Sequence, residues 1–417
     1  MWSETVTKTV MENCLQVVVM RSPRSRTVSL GLFIDHGAKD EDVSSNGISH
    51  FIEHLVFNPA HMDRTTRERL DQLMDRGAAY EAYTGKEFTR ATLTCRVDAL
   101  PAAVACMAGI LTRPRVLPEA VEHERSIILH ERDTYFASGR AKEELVEQAL
   151  WGNRSMGLYV IGRRDNILNF QAQSMQERLE RFYTPQTTRL VILGDVAPNE
   201  VVRLVEEHFS DWNRDPLPRR PIVIEEEPNI IGLPSQGSRA DVTFAFLGVP
   251  FDSSDRYAIN VLGDLLGGGI KSRLFQEVRE KRHLCYAIHA YTISYRLGGY
   301  LGINVNTGSD QVEEVYQAVS EVLEDVRQNP VTEEELERVK AARMTGLLEL
   351  PNDARRHLQM LGRHNMLGRD FFVDWECNEI RRVTAKDIQR VAQFLFAPER
   401  LAIAGLGVGG EQLAGLL

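Results

Sequence analysis

Asn46-Gly47-Ile48-Ser49-His50-Phe51-Ile52-Glu53-His54-Leu55-Val56-Phe57 is the stretch from which the rest of the chain is read. Its apolar residues at 48, 52, 55 and 56 recur at helical spacing and predict a helix over 48–57 with one buried stripe. On that helix His50 and His54 stand one turn apart on one face, and Glu53 at i+3 shares it. Two imidazoles so placed can bind one Zn²⁺ and leave coordination positions for a carboxylate and a water. Glu53 can then take a proton from that water, whose pKa catalytic zinc lowers to about 7. The three fixed positions also suit two unrelated helix histidines and a solvated glutamate, so a third ligand is needed to decide.

A long helix is predicted over 118–151, and it carries Glu124-Arg-Ser-Ile-Ile-Leu-His130-Glu131. Glu124 and Glu131 lie seven residues, two turns, apart and share a face, while Ile127 and Ile128 can pack inward. One carboxylate can ligate the metal, and the other can hold a ligand imidazole from behind. A solvated acidic helix face is the alternative. His130 points about 100° away from Glu131 and falls outside the set.

The 417 residues suit two domains. Residues 213–229 hold four prolines and blocks of opposite charge, the composition of an extended linker, so a domain boundary is placed there. On this reading 1–212 form the zinc-binding catalytic domain and 230–417 a second domain that repeats its order of strands and helices. The fold class is α+β, each half a mixed sheet covered by helices. A net charge of −10 argues against nucleic acid as a partner, and no run of about 18 apolar residues suggests a membrane span. The five cysteines are odd in number and never form a CxxC pair, which fits core positions in a reducing compartment. With no secretory or transit pattern at the N-terminus, a cytoplasmic address is expected.

In the second half, Gly267-Gly-Gly-Ile-Lys-Ser-Arg-Leu-Phe-Gln-Glu-Val-Arg279 is followed by Tyr286, seven residues beyond Arg279. The glycines lack the GxxxxGK[ST] order of a phosphate loop. Read alone, Arg279 is a surface cation near a helix C-terminus and Tyr286 a core strand aromatic.

HxxEH followed at this distance by ExxxxxxE, together with the glycine-rich SRLF segment and its Arg/Tyr pair, resembles the pitrilysin, insulysin and mitochondrial processing peptidase family, the inverted zincins. The resemblance implies His50, His54 and Glu131 as zinc ligands, Glu53 as general base and Glu124 as support. It also implies Arg279 and Tyr286 as donors to the substrate carbonyl. Phe182-Tyr-Thr-Pro185 fits the same pattern, and 77–89 corresponds to the family's edge strand, which takes up an extended peptide. Where the family has Asn-Ala-x-Thr, this chain has Glu81-Ala82-Tyr83-Thr84, so a preference for basic substrate side chains is expected. His283 replaces a usual glycine.

A zinc metalloendopeptidase acting on extended peptides, in leader-peptide processing or oligopeptide turnover, follows from the resemblance. So does assembly as half of a clamshell chamber completed by a second chain, in a homodimer or a heterodimer with a related subunit. A non-catalytic, partner-dependent subunit is the alternative. A metal-dependent oxygenase with two histidines and one carboxylate is a further one.

Overall fold

A computed structural model describes residues 5–23, 25–214, 222, 224–235 and 237–417. Much of the expected linker, 215–221 and 223, lies outside the described residues. Two mixed sheets covered by helices are present, as the fold class expected.

The first compact unit has six strands: β1 (Thr5–Val10), β2 (Gln16–Arg21), β3 (Thr27–Ile34), β4 (Ala79–Thr84), β5 (Thr89–Arg96) and β6 (Thr188–Gly194), in the order β1-β2-β6-β3-β5-β4. Only β2 and β6 run parallel. Alternation decides which face each residue serves. Val28, Leu30, Leu32 and Ile34 of β3 join one core with Phe51, Ile52 and Leu55 of the helix Ile48–Phe57. Phe33 and Gly31 turn to the opposite face, where the helix Ala354–Met366 packs. The approach there is close: a Cβ on Gly362 would sit 2.1 Å from Phe33 Cζ.

The second unit has five strands: β7 (Ile230–Leu233), β8 (Arg239–Leu247), β9 (Ala287–Ser294), β10 (Gly299–Gly308) and β11 (Leu401–Leu406), in the order β7-β11-β8-β10-β9. Its β7 and β11 are the parallel pair.

The units differ from the contiguous halves 1–212 and 230–417. Residues 350–372 belong to the first unit and 135–158 to the second. The physical reason is that each sheet has two apolar faces to bury, and helices local in sequence cover one. The helix Lys142–Trp151 buries Leu145, Val146, Ala149, Leu150 and Trp151 within the second unit. Its carbonyls at Ala149 and Leu150 accept from Asn229 and Glu227 ahead of β7. The helix predicted over 118–151 is accordingly two, Pro118–Ala137 and Lys142–Trp151, with Gly139 at φ 71° between them. Among the described residues no helix is long and apolar enough to cross a membrane.

Candidate metal centre

The helix carrying the two histidines is fixed first at its N-terminus. Gly47, the N-cap, has φ 99°, and its Cα lies so near Gly162 that a Cβ would meet Gly162 Cα at 2.7 Å. Glu41 is buried there and accepts from the backbone N–H of Gly47 and of Ser49, both at 2.8 Å, and from Asn46 Nδ2 at 2.9 Å. A carboxylate answers both the unpaired N–H groups and the positive end of the helix dipole. Burial pushes the Glu41 carboxyl up, and Arg178 with these donors opposes it. His36, fully buried and stacked on Phe182, lies 3.1 Å from Ser49 Oγ; burial pushes its imidazole down to about 4.

The helix Pro118–Ala137 brings its two-turn pair of glutamates to this face. His54 Nε2 lies 3.3 Å and His50 Nε2 3.8 Å from Glu131 Oε2. One ligand atom from each of His50, His54 and Glu131 lies within 4.8 Å of the others. Ligands at about 2.0–2.1 Å from a tetrahedral zinc stand roughly 3.3 Å apart, so the three atoms are near the spacing such an ion needs. His130 is exposed and stands outside the group.

Glu124 is wholly buried behind His54. Its Oε2 is 2.9 Å from His54 Nδ1, and its Oε1 takes His61 Nε2 at 2.7 Å and Asn58 Nδ2 at 3.0 Å. With Nδ1 engaged, His54 presents Nε2 toward Glu131. Burial alone would raise the Glu124 carboxyl, but the hydrogen bonds from His61 and His54 outweigh it and hold it low. The hydrogen bond from His54 likewise holds Glu131 low. Burial lowers the His54 imidazole, yet Glu131 and Glu124 together push it up to about 9. The cluster therefore stabilises positive charge at this spot, as a cation site must.

Glu53, half-buried on the same helix, adds its field to that of the carboxylates around His54. Tyr80 of β4 donates to Phe57 O at 3.0 Å and ties the end of the helix to the strand. His61, Asn58, Glu41 and Tyr80 were not singled out in the sequence. A histidine and an asparagine within seven residues of His54 were the visible signal for the first two.

β4 is an edge strand, as 77–89 was expected to provide. Tyr80 and Ala82 pack on the core beneath the histidine helix, and Thr84 is buried. Glu81 and Tyr83 alternate to the other face. Glu81 Oε1 accepts from Thr92 Oγ1 at 3.1 Å and from Gln359 Nε2 and Arg355 Nε, each at 3.0 Å. Its Oε2 pairs with Arg355 Nη2.

In the second unit Arg279 lies in a π-helical turn, Phe275–Lys281, with its guanidinium 4.6 Å above the Phe275 ring and 6.0 Å from that of Tyr286. Tyr286 precedes β9 and donates its backbone N–H to Asn306 O at 2.9 Å. Its side chain is no core aromatic: the residue is 81% exposed.

Residues 16–163 match the sequence model described as Insulinase (Peptidase family M16), and 169–343 the one described as Peptidase M16 inactive domain. An uncharacterized zinc protease of Mycobacterium leprae is 30% identical over 418 residues, which span 96% of this chain and 92% of that protein. The chain belongs to peptidase family M16. The M16 relatives include an uncharacterized zinc protease of Bacillus subtilis, 25% identical over 96% of this chain and 98% of its own length. The mitochondrial-processing peptidase subunit beta of Lentinula edodes is 25% identical over 95% of this chain and 89% of its own. The M16 fold also matches the crystal structure of a Helicobacter pylori protease, with a TM-score of 0.87 at 16% identity over 97% of this chain and 99% of that one.

Position 283, where the resemblance leads one to expect a glycine, has a backbone that suits one. His283 sits at φ 55°, in the left-handed region that a glycine enters without strain.

Proposed function

We propose that the chain is a zinc-dependent endopeptidase that hydrolyses extended peptides, with His50, His54 and Glu131 holding the metal. One observation carries this reading: three ligand atoms converge within 4.8 Å, with Glu124 hydrogen-bonded to the far nitrogen of one imidazole. Zinc supplies a Lewis acid that makes water a nucleophile near neutral pH. Glu53 takes the proton of the attacking water and returns it to the departing amine nitrogen. Arg279 and Tyr286 donate to the carbonyl oxygen as it gains negative charge. Residues 81–84 of β4 pair with the extended peptide backbone. In this reading 1–212 carries the metal centre and 230–417, a duplicate of it, the Arg/Tyr pair. A second chain, identical or related, completes the assembly. Leader-peptide processing and oligopeptide turnover both suit an extended substrate.

Glu53→Gln tests it directly. Zinc content should stay near one per chain while cleavage of a peptide library, followed by mass spectrometry, disappears. His54→Ala and Glu131→Gln should lose zinc and cleavage together. A cleaving Glu53→Gln variant would remove the base assignment. A second reading, a subunit that works only beside a partner, is favoured by the likeness to a processing-peptidase subunit and by the description of the 169–343 match as an inactive domain. It predicts a zinc-loaded chain that cleaves nothing until a related subunit of similar size is added.

A further inference from the structure

The carboxylate of Glu81 was expected to select basic substrate side chains, but its surroundings reverse that expectation. A carboxylate has about four lone-pair sites. On Glu81, Thr92, Gln359 and Nε of Arg355 crowd onto Oε1, and Nη2 of Arg355 covers Oε2. The Glu81 side chain is only 26% exposed, whereas that of its partner Arg355 is 64% exposed. Nη1 of Arg355 makes no hydrogen bond among the described residues. Arg90, directly across from Tyr83 on β5, lies on the same face with its guanidinium 4.5 Å from the Tyr83 ring centroid. One carboxylate and two guanidiniums leave this patch with a net charge of +1. What an incoming chain meets there is a cation.

A strand added beside β4 alternates its side chains between the two sheet faces. Every second side chain would therefore reach this patch rather than the histidine helix, within about 5 Å of its cross-strand neighbour. We propose that Arg355 is a specificity-determining residue that selects peptides bearing a carboxylate side chain on the face of β4 turned away from the metal helix. The proposal rests on the reading of β4 as the peptide-binding edge of a peptidase. Glu81 acts by orienting Arg355: the side-on pair through Nε and Nη2 points Nη1 outward.

The test uses the zinc-loaded full chain and extended peptides identical except for one scanned position carrying Asp, Asn or Lys. At one position kcat/KM should favour Asp over Lys. Attraction and repulsion at a partly exposed pair are worth about two- to fivefold each, giving roughly four- to twenty-fivefold in the ratio. Arg355→Gln, checked for folding by its melting transition, should bring that ratio to about one or invert it, since Glu81 is then uncovered. A preference for Lys in the wild type, or an unchanged ratio in Arg355→Gln, overturns the proposal. Anisotropy with the same labelled peptides on Glu53→Gln reads selectivity without hydrolysis. Selective binding with no cleavage by the wild type would defeat the peptidase reading and leave this one standing. Cleavage without charge selectivity would do the reverse. Should Arg355→Gln fail to fold, the wild-type preference must shrink on going to about 0.5 M salt; a salt-independent preference overturns the proposal.

Discussion

Replacing Glu124 by glutamine removes one negative charge and one acceptor oxygen while keeping the shape of the side chain. The carboxylate now serves His54 on one oxygen, and His61 with Asn58 on the other. A carboxamide has one oxygen and one NH₂ and cannot serve both sides. If its oxygen stays with His61 and Asn58, its NH₂ faces His54 Nδ1 and forces that nitrogen to accept. In the singly protonated imidazole that binds a metal, the proton is then forced onto Nε2, the atom that faces Glu131 at 3.3 Å and must be unprotonated to ligate. If the amide turns over, His54 keeps its tautomer and the half-buried His61 and Asn58 donors lose their acceptor. Either way the orienting contact is weakened. Losing such a contact costs about ten- to a hundredfold in metal affinity, or about 1.4–2.7 kcal/mol. Competition for zinc against a chromophoric chelator measures that loss, with kcat/KM at saturating zinc measured alongside. Glu53→Gln serves as the control whose zinc affinity should not move. Wild-type zinc affinity in a folded Glu124→Gln protein would refute the reasoning about His54.

Arg279→Ala and Tyr286→Phe should each lower kcat/KM by roughly ten- to a thousandfold, the range for one lost transition-state donor, with zinc content unchanged. Wild-type kinetics would return both to surface roles. Gly362→Ala should destabilise the protein despite alanine's better helix propensity, worth about 1 kcal/mol. The added methyl would overlap the fully buried Phe33 ring, at a cost of about 1–3 kcal/mol, and a lowered melting temperature would show which effect wins. His357 is pushed down to about 4 by burial. Above pH 6.5 it is neutral folded or unfolded; between 6.5 and about 4 only the unfolded chain takes up the proton. Stability is therefore lost as pH falls through that window, by at most about 3 kcal/mol. His357→Gln should lose less stability than the wild type between pH 7 and 4, and an equal loss would count against this.

Local repeats fix some of this protein before any folding is considered. His50, Glu53 and His54 share a face because a helix turns every 3.6 residues, and Glu124 and Glu131 share one because seven residues make two turns. The apolar stripe at 48, 52, 55 and 56 says which side of the first helix goes inward. Along a strand such as 79–84, neighbouring residues face opposite ways. These are properties of covalent geometry and spacing, and one sequence carries them. Which oxygen of Glu124 meets His61 depends instead on contacts across 63 residues, and the pairing of Glu81 with Arg355 spans 274. The helix Ala354–Met366 was not read from the sequence, and periodicity would not name the sheet it packs on. Only the tertiary structure decides that, because burying both faces of a sheet draws on whichever helix the packing delivers, from any distance along the chain.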